Sequence, residues 1–351
     1  MIRKVVTFFI ILLFVVGIVW LSYQNSLDNA FVFDDHLAIT NNNDVKNPDA
    51  HNIWTNDIWG KELSAHDSHK SYRPLLMILF RTLWSISSEA RWFREVSIVA
   101  HTFASLLLVQ LTSLIWGRLD ISLATAILFA AHPIHVESVS AVVNMAEAFS
   151  AILIISSYIL YLNTMKRNEN ITIISCLRLC MEIFAWILLV MTAALFKETG
   201  ITACLLVLGK SCLDGLLHCL RERNVSIRNI DYKQILFTIT AGVLLYVYMS
   251  GRTLMTSQHR AEILSRPESA FYHLFLKPLV EQQRESYLDT SQLLRRAENP
   301  FAQLVGWEKI FSMMVRAGLY ALLQMVTQYS ATVLLLLLLY ISSVFSGSML
   351  S

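Results

Sequence analysis

A pair of adjacent acidic residues, Asp34 and Asp35, lies in a polar segment shortly after the first long apolar run of the chain. Two neighbouring carboxylates cannot both project from one face of an ordered turn, so we expect one to accept backbone hydrogen bonds while the other points into a cavity. A carboxylate in a partly desolvated cleft suits a general base that activates a hydroxyl nucleophile. A solvated loop start or a helix cap is the alternative interpretation, and the pair alone does not decide between them.

A cationic motif follows at Ser71-Tyr72-Arg73-Pro74-Leu75, ahead of an amphipathic stretch at 75–84. An arginine at a membrane surface is suited to bidentate phosphate binding. Interfacial anchoring of Arg73, beside aromatic neighbours such as Tyr72 and Trp84, is the alternative for this position.

A Pro-broken segment, His132-Pro133-Ile134-His135-Val136-Glu137, ends another apolar run. Backbone freed by a proline is tolerated at membrane depth only where it is packed or lines a cavity. A zinc site of two histidines and a glutamate normally uses an unbroken HExxH helix, so we interpret His132, His135 and Glu137 as a polar cavity wall rather than as metal ligands. Nothing in the sequence indicates a divalent metal or another cofactor.

The last candidates are Glu147, just inside the next apolar run, and Lys197 and Glu198, in a short turn between two such runs. An acidic group inside a membrane span is costly unless it faces a polar interior. Lys197 is interpreted either as a phosphate contact or as the structural partner of Glu198 or Glu137. Taken together, these acids and cations are the layout expected for an enzyme with a lipid-linked phosphosugar donor. The lipid tail would lie between helices, cations would hold the phosphate, and a carboxylate would activate the acceptor.

The elements that position these residues are predicted to be membrane helices. The chain has 351 residues, of which 55% are hydrophobic and only 15% charged, and its apolar residues form long uncharged runs. We therefore predict an all-α, polytopic integral membrane protein with eight or nine spans. They are placed at 5–23, 96–116, 120–136, 146–163, 179–196, 201–219, 235–250, 309–327 and 330–346, of which 309–327 is the weakest.

The distribution of Lys and Arg predicts the orientation of these spans. Arg3 and Lys4 precede the first span, and the short connections 117–119, 163–178 and 220–234 carry further Lys and Arg, as cytosolic loops do. The loop 24–95, the turns near 137–145 and 197–200, and the segment 251–308 then lie on the opposite, luminal side. The net charge of +2 gives no argument for nucleic-acid binding. The five cysteines all fall in membrane-like sequence and are expected to be buried, inert thiols.

Four motifs in order resemble one family. They are Phe33-Asp34-Asp35-His36-Leu37-Ala38-Ile39-Thr40-Asn41-Asn42-Asn43-Asp44-Val45, then Ser71-Tyr72-Arg73-Pro74-Leu75, then His132-Pro133-Ile134-His135-Val136-Glu137-Ser138-Val139, and then Phe196-Lys197-Glu198-Thr199-Gly200-Ile201-Thr202. The series is similar to the transmembrane and tetratricopeptide-repeat-containing protein O-mannosyltransferases of the GT-C class, over roughly residues 5–215. The resemblance implies a multi-pass enzyme of the endoplasmic reticulum membrane with a luminal active site. Such an enzyme moves mannose from dolichyl phosphate mannose to Ser or Thr hydroxyls of secretory-pathway proteins, cadherin-like domains among them.

The resemblance also assigns roles and shows departures. Asp34 or Asp35 would be the catalytic acidic residue, in a transfer that inverts the anomeric centre. Arg73, Lys197, His132, His135, Glu137, Glu147 and Glu198 would line the donor site. Members of the family usually carry an arginine where this chain has Met145. The likeness fades after about residue 250, so the expected organisation is a GT-C-like membrane domain at 1–250, a luminal loop at 251–308 and membrane segments at 309–351, without tetratricopeptide repeats.

Two other functions remain open on the sequence. A non-catalytic relative that acts as a membrane scaffold or assembly partner is favoured by Met145 and by the absence of recognisable repeats. A transporter would require Gly- or Pro-broken helices with ionisable residues in both halves of the chain. Only the segment around Pro133 has that character.

Overall fold

The computed structural model describes residues 2–47, 52–65, 68–168, 170–221 and 231–265. Ten α-helices follow one another in these residues: α1 Ile2–Tyr23, α2 Asn43–Lys46, α3 Pro74–Ile86, α4 Ala90–Trp116, α5 Leu119–Ala131, α6 Val136–Ser140, α7 Met145–Lys166, α8 Ile173–Phe196, α9 Ala203–Arg221 and α10 Tyr232–Ser265. The described part pairs backbone in β fashion only at an isolated bridge between Asn56 and Glu62. All contacts described below lie within the unit Met1–Thr256.

Six stretches of the described residues are long and apolar enough to cross a membrane. They are Phe9–Ser26, Ala90–Trp116, Val142–Lys166, Ile173–Phe196, Glu198–Leu216 and Tyr232–Arg252. A seventh span is counted if α5 and the segment Pro133–Ser140, which are bent by 46° to each other, form one crossing. The prediction of an all-α, polytopic membrane protein is therefore confirmed. The predicted spans at 309–327 and 330–346 lie outside the described residues.

The helix ends follow from local sequence. Pro74 starts α3, where its fixed φ suits the first turn and its missing N–H is not needed. Gly117 ends α4 in the left-handed conformation, with φ +66°. Thr172 and Ser175 form a capping box that begins α8. Pro133 separates α5 from α6 and produces the bend, as the sequence predicts.

Two boundaries differ from the predicted ones. Helix α4 begins at Ala90 rather than at 96, so it includes Arg91 and Arg94, charges that excluded its first turns from the predicted span. Helix α10 continues to Ser265 rather than ending at 250, where the polar residues of its second half favoured a loop. A helix that leaves the apolar layer need not end there, so polarity marks the membrane boundary and not the helix boundary.

The buried apolar residues form three clusters, one of which supports the candidate site. Its buried members come from the segment after α1 that includes α2, from α3, from the start of α4, and from the turn before α7 with the first residues of α7: Ala38, Ile39, Val45, Ile53, Ile58, Leu76, Met77, Phe80, Leu83, Phe93, Val142, Val143, Met145 and Ala146. We call this set the loop core. A second cluster joins α4, α7, α8, α9 and α10, and a third joins α1 to α4, α5 and α6. Apolar side chains such as Leu13, Ile173 and Met181 remain exposed, as expected for the lipid-facing side of membrane spans.

The expectation that the cysteines are buried is wrong for most of them. Cys204 is buried, whereas Cys176, Cys180 and Cys212 are exposed free thiols. The side chain of Cys219 lies outside the described residues. Apolar residues of a membrane helix can face lipid as readily as protein, so hydrophobicity alone does not predict which thiols are packed.

Candidate functional site

The paired aspartates divide their roles between two environments. Asp35 is 1% exposed, and its carboxylate accepts hydrogen bonds from the backbone N–H of Val143 at 2.9 Å and of Val32 at 3.2 Å. Asp34 is exposed, and its carboxylate forms no hydrogen bond or ion pair with the described residues. Phe33, at φ +45° and 90% exposed, marks the sharp turn that separates the two directions. Asp35 therefore ties the loop to the turn before α7, and Asp34 is the carboxylate left available.

A residue that the sequence analysis did not select, Arg94, holds this loop in place. Its guanidinium lies in the first turns of α4 and is 1% exposed. Nε donates to the carbonyl of Ser140 at 3.0 Å, Nη2 donates to the carbonyl of Ala30 at 2.6 Å, and Nη1 donates to the carbonyl of Asn29. The guanidinium also interacts electrostatically with Asp35. The sequence did contain a signal for Arg94, which is a charged residue at the start of an apolar run. A charged side chain that is buried there requires hydrogen-bond or charge partners.

Four of the predicted donor-site residues meet in two ion pairs. Arg73 Nε lies 3.0 Å from Glu198 Oε2, and Lys197 Nζ pairs with Glu147 Oε1. All four side chains are between 15% and 24% exposed. Because Lys197 and Glu198 are adjacent, the pairs form one cluster of two cations and two carboxylates, which we call the charge cluster. Lys197 thus pairs with Glu147, whereas the predicted structural partners were Glu198 and Glu137.

The turn that carries Lys197 and Glu198 is pressed against the end of α8. Lys197 is extended, and residues Glu198–Thr202 form a 3-10 turn before α9. A Cβ at Gly200 would lie 2.2 Å from the carbonyl carbon of Ala193 and 2.3 Å from the backbone N of Ala194. Only glycine permits this approach. The Phe196 ring stacks on Phe149 of α7 at 5.2 Å, which fixes the turn beside the start of α7.

The Asp35 loop and the charge cluster rest on the same loop core. Ala38 and Ile39 follow Asp35, and Met145 and Ala146 precede Glu147 on α7. The partly buried rings of Phe149 and Phe196 pack on the same cluster. Elements far apart in sequence therefore hold both groups on one hydrophobic unit, at the ends of membrane helices.

The three remaining predicted residues lie around the Pro133 turn. Glu137 is exposed and accepts a hydrogen bond from Asn144 Nδ2 at 3.2 Å, which links it to the turn before α7. His132 Nδ1 lies 3.2 Å from the backbone N of Ile134 and caps the turn. His135 packs its ring on Phe129 at 4.3 Å and on His101 at 5.2 Å. The contacts thus place the histidines in an aromatic cluster with α4 and α5, while the ion pairs of the charge cluster form without them.

The described residues contain no group of three or more His, Cys, Asp or Glu side chains arranged to hold a metal ion. Apart from Asp34, the charged candidates pair with one another or accept hydrogen bonds from protein donors.

A second buried carboxylate organises the loop that leads to Arg73. Asp57, 1% exposed, accepts hydrogen bonds from the backbone N–H of Trp59 at 2.9 Å, of Lys61 at 3.0 Å and of His69 at 3.0 Å, and from the Ser68 hydroxyl at 2.7 Å. Tyr72 directly precedes Arg73 in this loop, and burial raises the pKa of its phenol above the usual value. Sequence reasoning missed Asp57 because an isolated aspartate in a polar loop resembles any solvated residue.

Two buried polar atoms beside the charge cluster have no hydrogen-bond partner among the described residues. They are Glu198 Oε1 and the hydroxyl oxygen of Thr199. Buried oxygens usually have partners, and their absence here identifies the Glu198–Thr199 turn as the least satisfied polar part of the site.

Similar proteins are found among curated sequences. Human protein O-mannosyl-transferase TMTC4 is 31% identical to this chain over 257 residues, which cover 64% of this chain and 34% of that protein. Mouse TMTC4 is 35% identical over 222 residues, covering 58% and 29%, and human TMTC3 is 33% identical over 201 residues, covering 57% and 21%. The chain thus spans about a third or less of the length of these relatives. No family model and no solved structure matches it.

Proposed function

We propose that this chain, which is similar to the TMTC protein O-mannosyl-transferases over more than half of its length, is a membrane-embedded glycosyltransferase. Its donor is dolichyl phosphate mannose, and its acceptors are Ser and Thr hydroxyls of secretory-pathway proteins, cadherin-like domains among them. The membrane domain is of the GT-C type. Its active site lies on the luminal side of the endoplasmic reticulum membrane.

The observation that carries the proposal is the shared support of the Asp34–Asp35 loop and the charge cluster. A free carboxylate and two cations are held on one loop core at the ends of membrane helices. A polyprenyl phosphate donor needs this combination, because its tail remains in the lipid while its phosphate and sugar are at the membrane surface. The cations match the phosphate, and the carboxylate matches the acceptor hydroxyl.

In the proposed reaction Asp34 is the general base. The acceptor oxygen attacks the anomeric carbon of mannose, the hydroxyl proton passes to the Asp34 carboxylate, and the bond from the anomeric carbon to the phosphate oxygen breaks with its electron pair on the phosphate. Asp34 is exposed rather than turned into a cavity as the sequence analysis expects, but its carboxylate forms no hydrogen bond with the described residues and can accept one from the acceptor hydroxyl. Asp35, with both oxygens engaged by backbone N–H groups, acts as a positioning residue for its neighbour.

Arg73 and Lys197 bind the donor phosphate in this scheme. Each cation now has a carboxylate partner, Glu198 and Glu147 respectively, so the phosphate exchanges with a carboxylate when it binds. Glu137, His132 and His135 form the adjoining wall at the Pro133 turn. The Glu198 Oε1 atom, which has no partner among the described residues, becomes available to a sugar hydroxyl once the turn moves.

Transfer assays on single variants test the catalytic assignment. Membranes carrying the full chain are supplied with dolichyl phosphate mannose and a Ser/Thr-containing acceptor, and mannose transfer is measured. Asp34→Asn is expected to lower kcat by about 10²–10⁴-fold, the usual contribution of a general base. The matched control is Asp28→Asn, since Asp28 lies in the same loop, is exposed and pairs only with the exposed Arg91 among the described residues. Activity within about twofold of the parent chain is expected for Asp28→Asn.

The outcomes separate this proposal from the non-catalytic alternative. Full activity in Asp34→Asn would remove Asp34 from the mechanism. A parent chain that binds no donor lipid and transfers no mannose, although correctly inserted, would support the membrane scaffold instead. Donor binding is measured independently by the amount of dolichyl phosphate mannose that co-purifies with the chain.

The luminal location is tested with N-glycosylation acceptor sites. The chain already contains Asn170-Ile171-Thr172 and Asn224-Val225-Ser226, both in predicted cytosolic connections. An added sequon in the predicted luminal loop 24–95 is expected to gain a glycan that an endoglycosidase removes, while the two native sequons gain none. A glycan on Asn170 would show that the orientation is the reverse of the predicted one, and it would contradict the luminal assignment of Asp34.

A further inference from the structure

Two exposed cysteines lie one helical turn apart at the start of α8. Cys176 and Cys180 are both free and exposed, in contrast to the buried Cys204 of α9. Residues four apart project from the same face of a helix, so the two thiols share one surface. Their exposed neighbours Ile173, Leu177 and Met181 are apolar, and the exposed Arg178 lies between the two cysteines in the chain.

The depth of the two thiols follows from the helix geometry. Thr172 caps α8, whose first residue is Ile173. At about 1.5 Å of rise per residue, Cys176 is roughly 5 Å and Cys180 roughly 10 Å from the start of the helix. Both therefore lie where the span enters the apolar layer, close to its polar boundary.

An apolar groove runs beside these thiols. It is shallow and open to its surroundings, and it is lined by Ile171, Thr172, Ile173, Cys176, Leu177 and Cys180. Both sulfur-bearing side chains contribute to its wall, and most of the remaining lining is aliphatic. A hydrocarbon chain attached to either sulfur would have an apolar surface to lie against.

Basic residues surround the same end of the helices. Lys166 donates to the carbonyl of Leu114, and Lys233 donates to the carbonyls of Thr164 and Arg167, so the ends of α4 and α7 and the start of α10 meet here. These connections are the ones that the Lys and Arg distribution places in the cytosol. Lys233 is buried and holds these helix ends together, whereas Lys166 is exposed, and an exposed cation beside a membrane attracts anionic groups such as lipid headgroups and the phosphates of acyl-coenzyme A.

We propose that Cys176 and Cys180 are S-acylated on the cytosolic side by long-chain acyl groups. Juxtamembrane cysteines are the usual targets of this modification. In the reaction the cysteine sulfur attacks the carbonyl carbon of a long-chain acyl-coenzyme A thioester. The new thioester joins that carbon to the cysteine, coenzyme A leaves as the thiolate, and it takes up the proton that the cysteine loses. The acyl chain lies in the groove and the adjoining lipid, and it anchors the start of α8 at the boundary.

The proposal depends on the predicted orientation and not on transferase activity. Acyl-coenzyme A is a cytosolic reagent, so a luminal location of these thiols would prevent the reaction. The sequon test at Asn170, close to Cys176 in the chain, reports that orientation separately. A chain without transferase activity can still be acylated, so failure of one proposal is distinguishable from failure of the other.

Acyl exchange on the full chain expressed in cells tests the proposal. Free thiols are blocked, thioesters are cleaved with hydroxylamine, and the released thiols are labelled with a maleimide polymer that adds a fixed mass. We expect two hydroxylamine-dependent mass steps that Cys176→Ser and Cys180→Ser each reduce by one and that the double variant abolishes. Cys212→Ser, which removes another exposed thiol on α9, is the matched control and is expected to retain both steps.

Three results would overturn the proposal. They are the absence of a hydroxylamine-dependent step in the parent chain, retention of both steps in the double serine variant, and loss of the steps in Cys212→Ser alone. Incorporation of an alkyne-bearing fatty acid into the parent chain, but not into the double variant, identifies the attached group as a long acyl chain. Expression of each variant at the level of the parent chain verifies that the serine substitutions leave the fold intact.

Discussion

Removal of the buried guanidinium of Arg94 is expected to destabilise the loop that carries the paired aspartates. Arg94→Met keeps an apolar stem of similar length in α4 but leaves the carbonyls of Asn29, Ala30 and Ser140 without their donor. It also leaves Asp35, 1% exposed, without its neighbouring positive charge. The perturbation therefore combines lost hydrogen bonds with an uncompensated buried carboxylate.

The expected magnitude follows from these contacts. Leaving a buried acceptor without its hydrogen-bond donor typically costs about 1–3 kcal/mol. Because the buried guanidinium donates to three carbonyls, we expect Arg94→Met to lower the free energy of unfolding by about 3–5 kcal/mol. Arg94→Lys keeps the charge but cannot reproduce the fork of donors, so a smaller loss of about 1.5–3 kcal/mol is expected.

The diagnostic variant is the double substitution Arg94→Met with Asp35→Asn. Without Arg94, the charged Asp35 carboxylate is buried beside no positive charge. Asp35→Asn replaces it with a neutral amide and so removes part of the destabilisation that Arg94→Met causes. The double variant is expected to be more stable than the sum of the single losses predicts, with a coupling of about 1–3 kcal/mol. Asp35→Asn alone should lower the free energy of unfolding by about 1–3 kcal/mol, because one carboxylate oxygen becomes an amide nitrogen that cannot accept the hydrogen bond of a backbone N–H.

The parent chain, the two single variants and the double variant form a double-mutant cycle. Reversible unfolding in mixed micelles, followed by circular dichroism and tryptophan fluorescence, measures the free energy of unfolding of each of the four. Asp28→Asn, in the same loop but exposed, is the control for a charge removed from solvent and should change stability by less than about 1 kcal/mol. Strictly additive losses for Arg94 and Asp35 would refute the reasoning, since they would show that the two buried groups do not stabilise each other.

Three further outcomes test other parts of the site. Gly200→Ala should be strongly destabilising in the same assay, because its Cβ would lie 2.2 Å from backbone, whereas Gly209→Ala, with nothing within 4 Å, should stabilise α9 by about 0.5–1 kcal/mol. Asp57→Asn should open the loop before α3 and accelerate its cleavage in limited proteolysis, because a carboxylate that accepts four hydrogen bonds is replaced by a group with one acceptor. In transfer assays Glu147→Gln should lower the KM for dolichyl phosphate mannose several-fold, and Lys197→Met should raise it. A KM in Lys197→Met equal to that of the parent chain would contradict phosphate binding at Lys197.

The membrane helices were predictable because their signal is local. Runs of about 20 apolar residues identify spans whatever their tertiary partners are, and Pro133 and Pro74 mark their own boundaries. Adjacent carboxylates must diverge, so the contrast between the buried Asp35 and the exposed Asp34 could also be anticipated. In each case a few neighbouring residues carry the information.

The contacts that assemble the site depend on long-range packing and could not be read in this way. Nothing near Lys197 in the sequence indicates that its partner is Glu147, fifty residues earlier, rather than the adjacent Glu198. Arg94 resembles an interfacial anchor until the carbonyls of Asn29 and Ala30 are seen beside it. A sequence pattern reports which residues tolerate the membrane, whereas the partner of a buried charge is decided by which helices pack together.

The charge balance of the cluster explains why Met145 matters to the proposed function. Arg73 and Lys197 contribute two positive charges and Glu147 and Glu198 two negative ones, so the cluster is neutral when all four are ionised. A donor phosphate then competes with carboxylates already in place. An arginine at position 145 would supply a third cation, but here the side chain is a methionine, fully buried in the loop core. The chain thus gains apolar packing where an additional cation would favour an anion. Donor binding must therefore draw on Arg73 and Lys197, which is why the proposal predicts opposite effects for Glu147→Gln and Lys197→Met.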